Sequence, residues 1–314
     1  MTRYHTSALV ALWLAVPAIA PAAGTCDRAC LVGLAHAYWT ALLARDPARL
    51  PHTATITFTE NNVPLPLGGG LWQTISAADP NDIVLIEEQR GEIATTSRIA
   101  EGTHAALALA RLKVIQGRVS ELETLVARRE TASFLQPQGW DQARALIGQD
   151  LEPAARGSRT ALIEVTQAYF DRLPDSTRPT PPLDAQCNRI ENGLRTTNNP
   201  DPFPGMASPP LNPSVTRLSC EEQFASRGLS FVSRVRDRRY PLVDEARGLV
   251  LSLSLFDHDG ILPPATGTPV RLSAPLPSPY SYAVAELFKV SSGRIVLIQS
   301  LISLVPYGMA SAWP

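Results

Sequence analysis

Lysine is nearly missing from this 314-residue chain: of its 28 basic residues only Lys113 and Lys289 are lysine, and the rest are arginine. Schiff-base chemistry therefore has just two candidate residues. Net charge is equally thin, −1 at pH 7, which removes any bulk electrostatic case for nucleic acid or anionic lipid as partner. Long apolar stretches are missing too. The run Ala8 to Val16 falls far short of the ~20 residues a membrane span needs. The chain has no G-x-S-x-G elbow, no H-E-x-x-H and no G-x-G-x-x-G, and Gly68-Gly69-Gly70 lacks the Lys-Ser/Thr and helix of a phosphate cradle. Asn212-Pro213-Ser214 carries the proline that spoils a glycosylation sequon. There are 4 cysteines, Cys26, Cys30, Cys187 and Cys220. Their spacing is not that of a zinc knuckle, so no metal is expected.

What remains is an ordinary globular balance, 45% hydrophobic and 18% charged, on a chain long enough for two cores of roughly 130–150 residues each. Residues 1–24, with Arg3 and His5 ahead of the apolar run and small residues Ala18 to Gly24 behind it, read as a secretory signal peptide. The expected location is outside the cell or in the secretory lumen, with no membrane span after cleavage. An even cysteine number in an exported chain suggests two disulfides. Three pairings are open, and Cys26–Cys30 with Cys187–Cys220 is favoured because it staples each half separately.

Self-comparison organises the rest. Ala37-Tyr38-Trp39 matches Ala168-Tyr169-Phe170, and Glu60-Asn61 matches Glu191-Asn192, both at an offset of 131. Glu87 to Gly91 matches Asp244 to Gly248 at an offset of 157, and Lys113 to Val119 matches Lys289 to Ile295 at 176. The chain reads as a tandem duplication: a first domain over 25–130, a partly helical linker over 131–157 and a second domain over 158–314. The second copy is longer by 26 residues mid-chain and 19 later (157 − 131; 176 − 157), and 16 of the 28 prolines cluster there, in Pro174 to Pro213 and Pro263 to Pro279. Each copy opens with a helix, Cys26 to Leu43 and Thr160 to Leu173, followed by a short strand and long hairpins turned at glycines. The fold class is α+β: a helix leading into a long-stranded antiparallel meander, made twice.

A leading helix, a short strand bearing an acid, and hairpins ending in "GRVSELETLVA" and "GRIVLIQSLIS" resemble the nuclear transport factor two-like superfamily, which includes SnoaL-like cyclases, ketosteroid isomerases and scytalone dehydratase. The blocks "FTENNVPLPLGGGLW", "CNRIENG", "RRYPLVDEARGLVLSLSLFDH" and "VPYGM" are similar to a secreted tandem family of that superfamily. The resemblance implies cofactor-free lyase, isomerase or cyclase chemistry on a small enolisable substrate, maleidride-type dimerising cyclases being one example. A non-catalytic secreted ligand-binding or assembly protein is the alternative. The resemblance also implies two tandem cone-shaped domains, each with helices packed on a curved antiparallel sheet, and sheets paired face to face, here within one chain or in a homodimer.

Period two in Thr53 to Glu60 puts Glu60 on the face of Ile56 and Phe58, and in the second copy that face holds Cys187, Arg189 and Glu191. A buried lone carboxylate suits a general base, and one beside an arginine suits anion binding. Asp257-His258 ends the strong strand Leu249 to Phe256 and brings the acid–base residue of neutral pH to a strand end. Alternation groups His258 with Ser252 and Ser254, and Asp257 with the leucines, leaving open which face is inward. The expected catalytic residues are Glu191, His258, Tyr240 and Arg189. Tyr307, Tyr169, Glu60 and Trp72 are expected to line a ligand pocket, because rings shape apolar cavities and phenols donate to enolates. The basic run Arg234 to Arg239 reads as a solvated strand edge.

Overall fold

The structure, a computed structural model, describes residues 26–79, 83–132, 134–205, 213–226, 229, 231–261 and 278–314. The signal-peptide reading and most of Pro263 to Pro279 lie outside the described residues.

The first half runs α1 (Arg28–Leu43), β1 (His52–Glu60), β2 (Val63–Pro64), α2 (Leu71–Thr74), β3 (Ile75–Ala78), β4 (Ile83–Glu87), β5 (Glu92–Glu101), β6 (His104–Ile115) and β7 (Arg118–Ala127). After a 3-10 turn at Pro137–Ala143 and α3 (Arg144–Gly148), the second half follows. It comprises α4 (Arg159–Arg172), β8 (Leu183–Glu191), β9 (Leu194–Arg195), α5 (Pro213–Thr216), α6 (Cys220–Ala225), β10 (Arg234–Asp244), β11 (Leu249–His258), β12 (Tyr280–Ser291) and β13 (Arg294–Val305). Asp27 caps α1 through the Cys30 N–H and Ser158 caps α4 through the Ala161 N–H, each side-chain oxygen taking an otherwise orphaned donor of the first turn.

The two sheets have the same strand order. One reads β2-β1-β7-β6-β5 and then β3, with β4 also on β5, and the other reads β9-β8-β13-β12-β11-β10. In both, only the first long strand is parallel to its neighbour, β1 to β7 and β8 to β13. The sequence offsets recur as contacts. Asn61 closes both hydrogen bonds of Val126, and Asn192 does the same for Ile302. Gly91 and Gly248 sit at φ 60° and 62°, where an added Cβ would meet the carbonyl oxygens of Val114 at 2.6 Å and Val290 at 2.1 Å. Only glycine fits either turn.

Each sheet buries both faces. In the first half Leu31, Leu34, Tyr38 and Leu42 of α1 pack on Ile93, Leu112, Val119 and Leu122. In the second, Leu162, Tyr169 and Phe170 of α4 pack on Val250, Phe256, Phe288 and Ile298. Between the sheets lies a third core, built from Leu107, Leu109 and Leu125 on one side and Leu249, Leu251, Leu253, Leu255 and Leu287 on the other. The leucine face of β11 is therefore as dry as its helix-side face, which carries Ser252 and Ser254 between Val250 and Phe256.

Polar ties reinforce this joint. Arg239 reaches Glu123 of the first sheet at 2.5 Å, and Trp313 inserts between Arg111 and Arg239, each guanidinium 5.6 Å from its ring centre. The Trp313 indole donates to Thr59 at 3.0 Å. β10 is the edge strand expected over Arg234 to Arg239 and Arg234 is exposed, but its other arginines are half-buried and tied down. Arg234 and Arg236 both hold Asp257, Arg238 holds Asp171, and Arg239 crosses to the other sheet, because buried Asp257 and Glu123 demand cations.

Candidate functional site: the interior of the second cone

Alternation along β11 and β12 determines what faces α4. Val250, Ser252, Ser254, Phe256 and His258 share one face of β11, and Tyr282, Val284, Glu286 and Phe288 share one face of β12, with Val250, Phe256, Val284 and Phe288 in the core under the helix. Pairing then lines up one polar row across four strands. Ser252 lies opposite Glu286, Glu286 opposite Ser300, and Ser300 opposite Glu191. The same row in the first half reads Thr95, Ala110, Thr124, Glu60. The second cone thus carries one carboxylate, Glu286, that the first lacks.

Glu286 is 1% exposed. Its Oε1 accepts from Ser300 at 2.8 Å, and its Oε2 makes no well-formed hydrogen bond among the described residues, although the Tyr169 hydroxyl adjoins the carboxyl. Burial pushes the carboxyl up to about 7, against the pull of Arg189 and the Ser300 bond, since desolvation penalises the charged form. Arg189 is locked at both ends: Nη1 donates to Gln223 at 3.0 Å and Nη2 to Glu191 at 2.6 Å, while Nε has no partner. The Gln223 amide nitrogen donates to the Thr196 and Val215 carbonyls, which turns its oxygen towards Arg189. Burial opposes the Arg189 charge, yet Glu191, Tyr169 and Glu286 hold the guanidinium above its ordinary range. The Tyr169 hydroxyl adjoins both Arg189 and Glu286, makes no well-formed hydrogen bond, and is raised by burial. The rings of Phe170, Phe224 and Phe288 surround that of Tyr169, with centres 5.2 to 5.5 Å away.

Of the expected catalytic residues, Arg189 and Glu191 come together here with Tyr169. Tyr240 lines the same cone behind Phe170, its ring centre 6.4 Å away, and burial pushes its hydroxyl up to about 12. His258 shares the inward face and is 2% exposed, packed edge-on against Phe231 and Tyr280. Asp257 points the other way: although burial opposes it, Arg236, Ser281 and Arg234 hold its carboxyl below the usual range. Glu60 and Trp72 lie in the first cone. Glu60 is not a lone base there, because its oxygens are taken by Arg128 at 2.9 Å and the Leu71 N–H at 2.6 Å. Tyr307 is 50% exposed on the turn after β13 and lines no cone.

Cys26–Cys30 and Cys187–Cys220 are disulfide-bonded, and the latter ties α6, which carries Gln223, to β8, which carries Arg189. Sequence reading missed Glu286. The signal was a single acid on the inward alternation of an otherwise apolar strand, at the position equivalent to Ala110. Among the described residues, no group of three or more His, Cys, Asp or Glu could hold a metal ion.

Fold and interior together define the class: an α+β protein of two helix-capped sheets joined back to back. A family model described as "Domain of unknown function (DUF8021)" matches residues 155–302, the second cone. No curated protein matches the chain. Similar solved structures include AclR, a candidate hydroxylase from Streptomyces galilaeus, at 11% identity over 33% of this chain and 82% of that one, TM-score 0.28. A candidate ketosteroid isomerase from Kribbella flavida is 12% identical over 41% of this chain and 96% of its own, TM-score 0.29. A candidate SnoaL-like polyketide cyclase from Jannaschia sp. CCS1 is 12% identical over 49% and 91%, TM-score 0.25.

Proposed function

We propose that the second cone is an acid–base site that works with its own side chains on a small enolisable organic substrate, as an isomerase, lyase or cyclase. The observation that carries this is Glu286. It is a buried carboxyl with one oxygen unspent, poised near neutral pH, beside two unspent donors on Tyr169 and Arg189. A general base works best with a pKa near the working pH. The Glu286 carboxylate removes a proton alpha to a carbonyl. The electron pair moves to the carbonyl oxygen, which accepts hydrogen bonds from the Tyr169 hydroxyl and the Arg189 Nε–H. The enolate then takes the proton back at another carbon, expels a leaving group, or attacks a second carbon. Glu191 neutralises the Arg189 guanidinium so that the pair adds no net charge to the apolar interior, and it serves as counter-ion instead of base. His258 and Tyr240 line the approach.

Two disulfides fit an exported protein, and on that ground we propose that it works outside the cell. Among the described residues no helix is long and apolar enough to cross a membrane.

The test is metabolite profiling of a strain lacking the gene, complemented with wild type or Glu286→Gln. The wild-type gene restores the missing metabolite and the variant, secreted in equal amount, accumulates its precursor. Equal rescue by both would remove Glu286 as base and leave the ligand-binding reading.

A further inference from the structure

The first cone repeats the polar row but empties its centre. Along β6 the inward residues are Ala106, Ala108 and Ala110, all at most 2% exposed, where β12 carries Tyr282, Val284 and Glu286 at the offset of 176. Facing this stripe are buried polar groups without a well-formed hydrogen bond among the described residues. They are the Tyr38 hydroxyl, which adjoins that of Thr124, the Thr124 hydroxyl itself and the Trp72 indole Nε1, on residues 0%, 1% and 1% exposed. They converge. Tyr38 and Trp72 meet edge-on with ring centres 5.9 Å apart, Tyr38 senses both Thr124 and Glu60, and Thr124 lies directly across the ladder from Ala110.

We propose that the first cone is a second, base-free ligand site, taking a small neutral molecule that presents a carbonyl-type oxygen on a compact apolar body. The donors decide the ligand chemistry. An indole N–H can only donate, and burying it unpaired is costly, so the site calls for an acceptor. Glu60 offers no proton-abstracting oxygen, since both are spent on Arg128 and Leu71, and Arg128 is further held by Glu101 at 2.6 Å. A ligand anion would meet the Glu60 charge with no free cation beside it, and a ligand cation would find no unspent carboxylate. The alanines supply the apolar floor. This site stands apart from the acid–base reading of the second cone and holds whether or not that reading does.

Indole 15N–1H resonances test it directly, with Trp72→Phe assigning the Trp72 signal and cyclohexanone as the probe. In the Glu286→Gln protein, which removes the proposed base of the second cone, cyclohexanone shifts the Trp72 indole saturably. Tyr38→Phe weakens that binding about fivefold, the loss expected for one hydrogen bond of roughly 1 kcal/mol. Ala110→Leu, which fills the floor, abolishes it while the other indole signals stay in place. Three results would each overturn the proposal: a Trp72 signal that never moves, binding that survives Ala110→Leu unchanged, or binding indifferent to Tyr38→Phe. Should Ala110→Leu fail to fold, the Tyr38→Phe arm decides alone.

Discussion

Replacing Glu286 with glutamine changes the pH dependence of stability in a direction that follows from burial alone. The carboxyl stands at about 7 in the folded chain against an ordinary 4.5. Below the lower value both folded and unfolded chains hold the proton, and Glu286 favours neither. Between the two the unfolded chain releases it while the folded chain keeps it, so the stability that the buried neutral acid retains at low pH is progressively lost as pH rises towards the folded value. At about 1.4 kcal/mol per pH unit, the gap of 7 − 4.5 amounts to about 3 kcal/mol. Glutamine keeps the shape and can still accept from Ser300, but it cannot ionise. Glu286→Gln is therefore expected to be about 3 kcal/mol more favourable, relative to wild type, at about pH 8 than at about pH 4. Urea unfolding with disulfides intact measures it, and comparing the two proteins at each pH cancels every other titrating group. A wild-type-to-variant difference that is the same at both pH values, within about 0.5 kcal/mol, would refute the reasoning.

Other consequences follow from particular contacts. Trp313→Ala removes a ring that is 8% exposed and sandwiched by two guanidiniums, and leaves Thr59 without its donor. A loss of about 3–5 kcal/mol in chemical denaturation is expected. Arg189→Met strands Glu191 and Glu286 without their cation, costing about 3–5 kcal/mol and moving the Glu286 carboxyl further up, as a carboxyl-resolved NMR titration would register. Paired substitution of Cys187 and Cys220 by alanine opens a loop with a sequence separation of 33 and lowers stability by about 4 kcal/mol on the chain-entropy estimate, seen as a drop in the urea midpoint. Gly248→Ala forces a left-handed turn and a Cβ 2.1 Å from the Val290 oxygen. The expected cost exceeds the ~1 kcal/mol of a left-handed alanine alone, and a thermal shift at or below that of an exposed alanine substitution would count against this reading of the turn.

Much of the fold was legible in the chain because hairpins are local. The helix before β1, the strand Thr53 to Glu60 and the hairpins turned at glycines were read close to where they stand, since period-two alternation and φ > 0 demands are written in adjacent positions. Elements whose cause is distant were not. Short β3 exists because β5 offers it an edge, and α6 because a disulfide and the Arg189 guanidinium, donating to the Gln223 amide oxygen, hold it against β8. Tyr307 was expected to line a ligand pocket, yet the chain leaves the sheet at Val305 and carries Tyr307 into solvent.

For the site, the sequence by itself determined which residues share a face: Glu191 with Arg189 and Cys187, His258 with Ser252 and Ser254, and Glu286 with Val284 and Phe288. It also determined that the two halves carry the same Glu-Asn corner. It could not say which face is the interior. The two sheets pack back to back, so both faces of β11 and β12 are dry, and apolar alternation loses the contrast that normally tells inside from outside. Only the tertiary structure decided that Glu286 looks into the cone, that strands over a hundred residues apart bring Ser252, Glu286, Ser300 and Glu191 into one row, and that Arg189 is locked with a single N–H to spare. Proton affinity depends on desolvation and on charges arriving from other strands, which no stretch of sequence contains.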